Sequence, residues 1–189
     1  MKNMIKKIFF IFFFIFYLLI NQSAAENDIM ILKLKDGDVR IELYNDVAPN
    51  HVARFKKLSL EKKYDGVVFH RVIDGFMAQT GDVQFGNSNS EKFDLSRAGT
   101  GGSEYPDLKS EFGDIPHERG TLSMARSSSP DSANSQFFIC FKSASHLDRQ
   151  YTVFGRVVKG MEFVDLIKKG EGSNGKVESP DKIISLSSE

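Results

Sequence analysis

Apolar and polar residues alternate at the end of Ile29-Met30-Ile31-Leu32-Lys33-Leu34-Lys35 and through Val39-Arg40-Ile41-Glu42-Leu43, with Asp36-Gly37-Asp38 between the runs. A period of two on either side of a turn sequence predicts a β-hairpin. From Pro49 the period changes. Val52, Phe55 and Leu58 recur at spacing three with Arg54, Lys56 and Lys57 between them, which predicts an amphipathic helix over 49–62 opened by the proline. Val67–Ile73 reads as a buried strand, and Asp74-Gly75 turns the chain into Phe76-Met77-Ala78-Gln79. Further strands are predicted at Thr121–Ala125, Gln136–Phe141, Thr152–Val158 and Ile183–Leu186. Met161–Lys169 has helical spacing, with Phe163, Val164 and Ile167 on one side, Gly170 as a stop and an Asp165–Lys169 pair on the exposed side. About eight strands, two helices and no repeat point to a mainly β domain, a closed barrel or a sandwich. Gly81–Ser103 reads as a long glycine- and serine-rich loop, and loops of that length in compact domains usually serve function.

The first 25 residues follow a different pattern. Lys2, Lys6 and Lys7 precede an unbroken apolar run of 13 residues from Ile8 to Ile20, and Asn21-Gln22-Ser23-Ala24-Ala25 follows. Thirteen helical residues span about 20 Å, short of a hydrocarbon core of roughly 30 Å. A basic start, a short apolar run and small residues at the cut site predict a secretory signal peptide cleaved after Ala25. The alternative is a retained anchor reaching back through Ile5. With cleavage, residues 26–189 form one exported domain that does not span a membrane, and a monomer is expected.

The formal charge of zero, 25 basic against 25 acidic residues, hides an asymmetry. Residues 26–189 hold 22 basic and 25 acidic side chains, so a nucleic-acid partner is not expected. The single cysteine, Cys140, excludes an intramolecular disulfide and a CxxC motif, and its apolar strand suits an inert core thiol. His51, His70, His117 and His146 are scattered without metal-ligand spacing, and no GxSxG or GxxxxGK[ST] occurs. Gly99-Thr100-Gly101-Gly102 lacks a strand before it, so it reads as a flexible turn rather than a phosphate loop. No metal and no cofactor is implied.

One group is unusual. Arg71 sits inside an apolar strand, where a charge is costly unless it is paired or opens onto a groove. Around it, Phe76, Met77 and Gln79, then Gln136 and Phe138, mix apolar and amide side chains in short strands. Periodicity alone leaves open whether these are ordinary core and surface residues or the wall of a groove.

The stretch Phe69-His70-Arg71-Val72-Ile73-Asp74-Gly75-Phe76-Met77-Ala78-Gln79-Thr80-Gly81-Asp82 closely resembles the signature of cyclophilins, the cyclosporin-binding class of peptidyl-prolyl isomerases. Gly120–Ala125 with Ser135–Ile139, and Leu147-Asp148 with Val153-Phe154-Gly155, match further family motifs in the same order, so the resemblance covers nearly all of 29–187. It implies a closed eight-stranded antiparallel barrel capped by two helices. It also implies that Arg71 is the catalytic arginine, that Phe76, Met77, Phe138 and Leu147 line a proline pocket, and that Gln79 and Gln136 hydrogen-bond the substrate backbone. Ala125 and Arg126 match the groove edge; an arginine where many members have asparagine would favour acidic peptides. His146 stands in place of a tryptophan found in cyclosporin-sensitive members, and Tyr151 in place of a rim histidine. Both departures imply weak or no cyclosporin binding. The substrates implied are proline-containing peptides and unfolded exported proteins, and the secretory start together with these bacterial-type substitutions points to a periplasm.

Overall fold

A computed structural model describes residues 28–189; the predicted signal segment lies outside the described residues. Strands β1 (Ile29–Leu34) and β2 (Gly37–Leu43) form the expected hairpin, with Leu34 paired to Gly37 across a tighter turn at Lys35-Asp36. Helix α1 (Pro49–Leu60) follows, then β3 (Arg71–Ile73), β4 (Met77–Thr80), β5 (Thr121–Met124), β6 (Phe137–Cys140), β7 (Val153–Lys159), helix α2 (Met161–Asp165) and β8 (Ser185–Ser188). The eight strands make one antiparallel sheet in the order β3-β4-β6-β5-β7-β2-β1-β8. None of the described helices is long and apolar enough to cross a membrane.

The sheet curls, but β3 and β8 share no ladder, so the closed barrel expected from the sequence is an open one. The predicted strand 67–73 shrinks to three residues because its first half bonds to loops instead of a neighbouring strand. Val68 N–H donates to the Gly86 carbonyl and Phe69 N–H to that of Asp181, with single bridges Val67–Asn87 and Val68–Lys182. Tertiary bonds also shorten α2. Lys168 N–H donates to the Asp181 carboxylate and Gly170 N–H to the Val72 carbonyl, which draws 166–170 out of the helix. The expected Asp165–Lys169 side-chain pair is replaced as well: Asp165 pairs with Arg119 at 2.6 Å, and Lys169 donates to the main-chain oxygens of Asp165 and Ile167.

Side-chain alternation builds two apolar layers from the same strands. In β6, Phe137 and Ile139 enter the central core while Phe138 and Cys140 enter a smaller cluster with Met77, Ala144 and Leu147. The core centres on Phe55 of α1, whose ring lies 5.1–5.4 Å from those of Phe137, Phe154 and Tyr64. Each of these buried rings contributes roughly 1.5–3 kcal/mol relative to exposure. The buried phenol of Tyr64 finds a partner in the Ser135 carbonyl at 2.9 Å.

The first turn of α1 has no cap of its own, and Glu111 from a distant loop supplies one. Its carboxylate accepts from the backbone N–H groups of Asn50 and His51, the Asn50 amide and the His51 ring, at 2.6–3.1 Å. Burial alone would raise the Glu111 pKa, but these bonds together hold it below its ordinary value. Glu111→Ala should therefore cost about 1–2 kcal/mol of stability, read as a lower denaturant midpoint at unchanged slope. An unchanged midpoint would mean that water satisfies the turn equally well.

Candidate active site

Antiparallel register places one row of side chains across the outer face of four neighbouring strands. Arg71 of β3 pairs with Gln79 of β4, Gln79 with Phe138 of β6, and Phe138 with Ser123 of β5. A charge, an amide and a ring thereby stand side by side. In the next row Met77 pairs with Cys140 and adds apolar floor. A pocket of about 200 Å³ opens here, lined by Arg71, Phe76, Met77, Gln79, Ala125, Arg126, Phe138, Leu147 and Tyr151. Nine of the eleven residues singled out in the sequence meet in it.

Arg71 is held from two sides. Its Nε donates to the Asn174 carbonyl at 3.0 Å and its Nη1 to Gln79 Oε1 at 3.2 Å. Its Nη2 bonds to no described residue. Burial lowers the Arg71 pKa from its ordinary value, partly countered by Tyr151. A guanidinium nevertheless keeps its charge at any physiological pH.

Gln136, expected to meet substrate, is already engaged within the protein. Its Oε1 accepts from Gln79 Nε2 at 3.0 Å, and its Nε2 donates to the carbonyls of Gly99 and Gly101 at 3.0 and 2.7 Å. The Gly99–Gly102 run is therefore not a free turn. Gly99 and Gly101 N–H groups donate to one oxygen of the fully buried Asp82, and Gln84 and Phe85 N–H groups to the other. A continuous chain of hydrogen bonds thus runs from Asp82 through this loop, Gln136 and Gln79 to Arg71. Gln136 lines a second cavity of about 380 Å³, which shares Gln79, Ala125 and Arg126 with the first.

On the pocket floor, Phe138 is stacked on His117 at 6.1 Å and meets Tyr151 edge-on at 6.0 Å. Hydrogen bonds of 2.9 Å tie the His117 ring to Asp148 and to Ser123. Burial lowers the His117 pKa against the pull of Asp148, and the ring backs the pocket floor. Ser123 is wholly buried, so no nucleophile faces the pocket there. Cys140 is inert behind the floor, its thiol pushed up to about 12 by burial.

Two rim residues depart from the sequence reading. Arg126 lies 4.4 Å over the Tyr151 ring and donates to the carbonyls of Gln150, Ser127 and Ser128, which leaves little of it for an acidic peptide. His146 is exposed and does not line the pocket; its ring stands 5.5 Å from that of Phe76. Sequence reasoning missed Asp82, His117, Ser123, Asp148 and Asn174. The Gly81-Asp82 dipeptide was inside a matched motif, but nothing local marked its carboxylate as the anchor of a loop 17 positions away.

The family model described as "Cyclophilin type peptidyl-prolyl cis-trans isomerase/CLD" matches residues 29–188. A probable peptidyl-prolyl cis-trans isomerase of Brucella suis is 62% identical over 164 residues, covering 86% of this chain and 83% of that protein. A peptidyl-prolyl cis-trans isomerase of Acinetobacter baylyi is 40% identical over 156 residues, covering 79% and 77%. Among solved structures, the cyclophilin AquaCyp293 from Hirschia baltica is similar with a TM-score of 0.71 at 26% identity, covering 85% of this chain and 73% of that one. A cyclophilin-type isomerase of Cryptosporidium parvum, solved in the presence of the dipeptide Ala-Pro, has a TM-score of 0.71 at 25% identity, covering 85% and 98%. With its arginine-edged pocket on the curled sheet and these relatives, the chain belongs to the cyclophilin-type peptidyl-prolyl cis–trans isomerases.

Proposed function

We propose that the protein accelerates X–Pro isomerisation by electrostatic stabilisation of the twisted amide, and that it assists the folding of exported proteins in a periplasm. The observation that carries the mechanism is the Arg71 guanidinium, fixed on two sides with Nη2 free beside an aromatic pocket. Rotation about the prolyl amide breaks conjugation and meets a barrier of about 18–20 kcal/mol, with no bond made or broken. In the twisted state the prolyl nitrogen regains its lone pair and becomes a better acceptor. A preoriented donor aimed there binds that state more tightly than either planar isomer, which is all that catalysis requires. Phe76, Met77, Phe138 and Leu147 hold the ring, and Gln79 and Ala125 meet the substrate backbone. Gln136 acts on the backbone through its grip on Gln79 and the 99–101 loop.

The reading takes proline-containing peptides and unfolded exported chains as substrates, and an Ala-Pro dipeptide accompanies the Cryptosporidium neighbour. Its cellular half rests on the basic, apolar and small-residue pattern of residues 1–25. An isomerisation assay with an Ala-Pro-Phe peptide tests the chemistry; a rate equal to the uncatalysed one would leave peptide holding as the better account. N-terminal sequencing of the protein recovered from the periplasmic fraction tests the rest, with Glu26 expected as the first residue.

Cyclosporin should bind weakly. The exposed, polar His146 ring replaces a large apolar contact and donor at the rim, and loss of one aromatic anchor commonly costs 2 kcal/mol or more. His146→Trp should tighten cyclosporin binding by about tenfold or more in a titration. A sub-micromolar Kd for the unaltered protein would contradict this.

A further inference from the structure

We propose that the 170–177 segment is a clamp for the Arg71 guanidinium, with Asn174 as a positioning residue for isomerisation. The inference rests on the reading of Arg71 as the catalytic group. β3 is an end strand of the sheet, and its outer edge is covered by this segment rather than by another strand. Gly170 N–H donates to the Val72 carbonyl at 2.9 Å, Val72 N–H to that of Gly175 at 2.7 Å, and Val177 N–H to that of His70 at 3.2 Å. The single bridge Arg71–Lys176 completes the seam, and Glu171–Lys176 closes the segment on itself.

The fit is too close to admit another side chain. Gly175 has φ +69°, and a Cβ there would lie 2.4 Å from Ile73 Cγ1 and 2.8 Å from the Val72 oxygen. A Cβ on Gly170 would lie 2.0 Å from the Gly175 oxygen. At the tip, Asn174 Oδ1 accepts from Lys176 N–H at 3.2 Å, an Asx-type turn that sets the direction of its own peptide group. That residue's carbonyl is the one that receives Arg71 Nε.

The consequence is geometric. A planar guanidinium held only by Gln79 could swing about its last side-chain torsion. A second bond from a separate segment fixes both its plane and its rotation, so Nη2 points one way. A displacement of about 1 Å at a catalytic donor can cost up to 100-fold in rate. The clamp therefore acts on turnover and little on the binding of planar peptide.

The test uses Asn174→Ala and Asn174→Asp, alone and with Arg71→Ala. Asn174 is exposed, so truncating its side chain leaves the core intact. Asn174→Ala should lower kcat about tenfold with KM nearly unchanged, and should shift or broaden the Arg71 Nε–H resonance. Asn174→Asp keeps the turn acceptor and should restore both to within about twofold. In the Arg71→Ala background Asn174→Ala should have no further effect, since a positioning residue without its target has nothing to position. Unchanged kcat in Asn174→Ala, or the same loss with and without Arg71, would overturn the clamp while leaving the site reading intact. Full turnover in Arg71→Ala alone would refute the site reading, and the clamp with it.

Discussion

Arg71→Ala is expected to lower kcat/KM for an X–Pro peptide by about 10²–10³-fold, the usual cost of removing one preorganised donor at a developing charge. The size follows from the setting. Arg71 is half-buried, its Nε and Nη1 are occupied by Asn174 and Gln79, and no described acid is bonded to its Nη2. Its remaining donors are thus undivided and need no reorganisation when the amide twists. Arg71→Lys should recover little of the loss. An ammonium is a point charge without a fork, and cannot bond Asn174 and Gln79 while facing the prolyl nitrogen. The fold should survive both changes, because the core clusters do not include Arg71. Steady-state rates beside a far-UV spectrum check this, and a loss below about tenfold for alanine would be too small for the proposed role.

Acid should destabilise the protein, chiefly through His70. The ring is 6% exposed, and neither nitrogen has a partner of hydrogen-bonding geometry. Burial, with the neighbouring Arg71 charge, pushes its pKa down from 6.5 to about 4 against a smaller opposing pull from Asp82. Between these values the unfolded chain binds the proton and the folded chain does not, so stability falls as pH drops from about 6.5 to about 4. At about 1.36 kcal/mol per pH unit the whole window costs roughly 3 kcal/mol. His70→Leu has its own packing cost, so the informative quantity is the slope of unfolding free energy against pH, which should flatten in the variant. An imidazole titration by NMR gives the same answer directly. A His70 midpoint near 6.5 would contradict the account. The effect bears on function because His70 precedes Arg71 and lies under Gly99, where an added Cβ would come within 2.9 Å of the ring.

The elements readable in the sequence were those whose stabilising contacts follow a regular period. The hairpin of β1 and β2 and the buried stripe Val52, Phe55 and Leu58 of α1 stand where spacing put them. The site was less readable, because β3 to β6 are only three or four residues long and their shared face depends on register. Motif resemblance supplied its residues, and pairing supplied the row Arg71–Gln79–Phe138. What stayed hidden is main-chain hydrogen bonding across long separations. Asn174 meets Arg71 from 103 positions away, and Glu111 caps α1 from 60. Gly99–Gly102 read as loose because glycine marks flexibility locally; its amides and carbonyls are tied down by Asp82 and Gln136. The closed barrel was implied by the resemblance, and strand count does not reveal that β3 and β8 share no ladder; the segments beside them meet through loop hydrogen bonds and single bridges.

The central claim is that Arg71 stabilises the twisted amide and not the bound peptide. NMR exchange on an Ala-Pro peptide separates the two, since it reports the affinity for planar peptide and the interconversion rate on the enzyme in one experiment. For Arg71→Ala the account predicts a Kd within about threefold of the unaltered protein and an on-enzyme rate lower by about 100-fold or more. A Kd weakened by that factor with the on-enzyme rate unchanged would make Arg71 a uniform binding contact and contradict the mechanism.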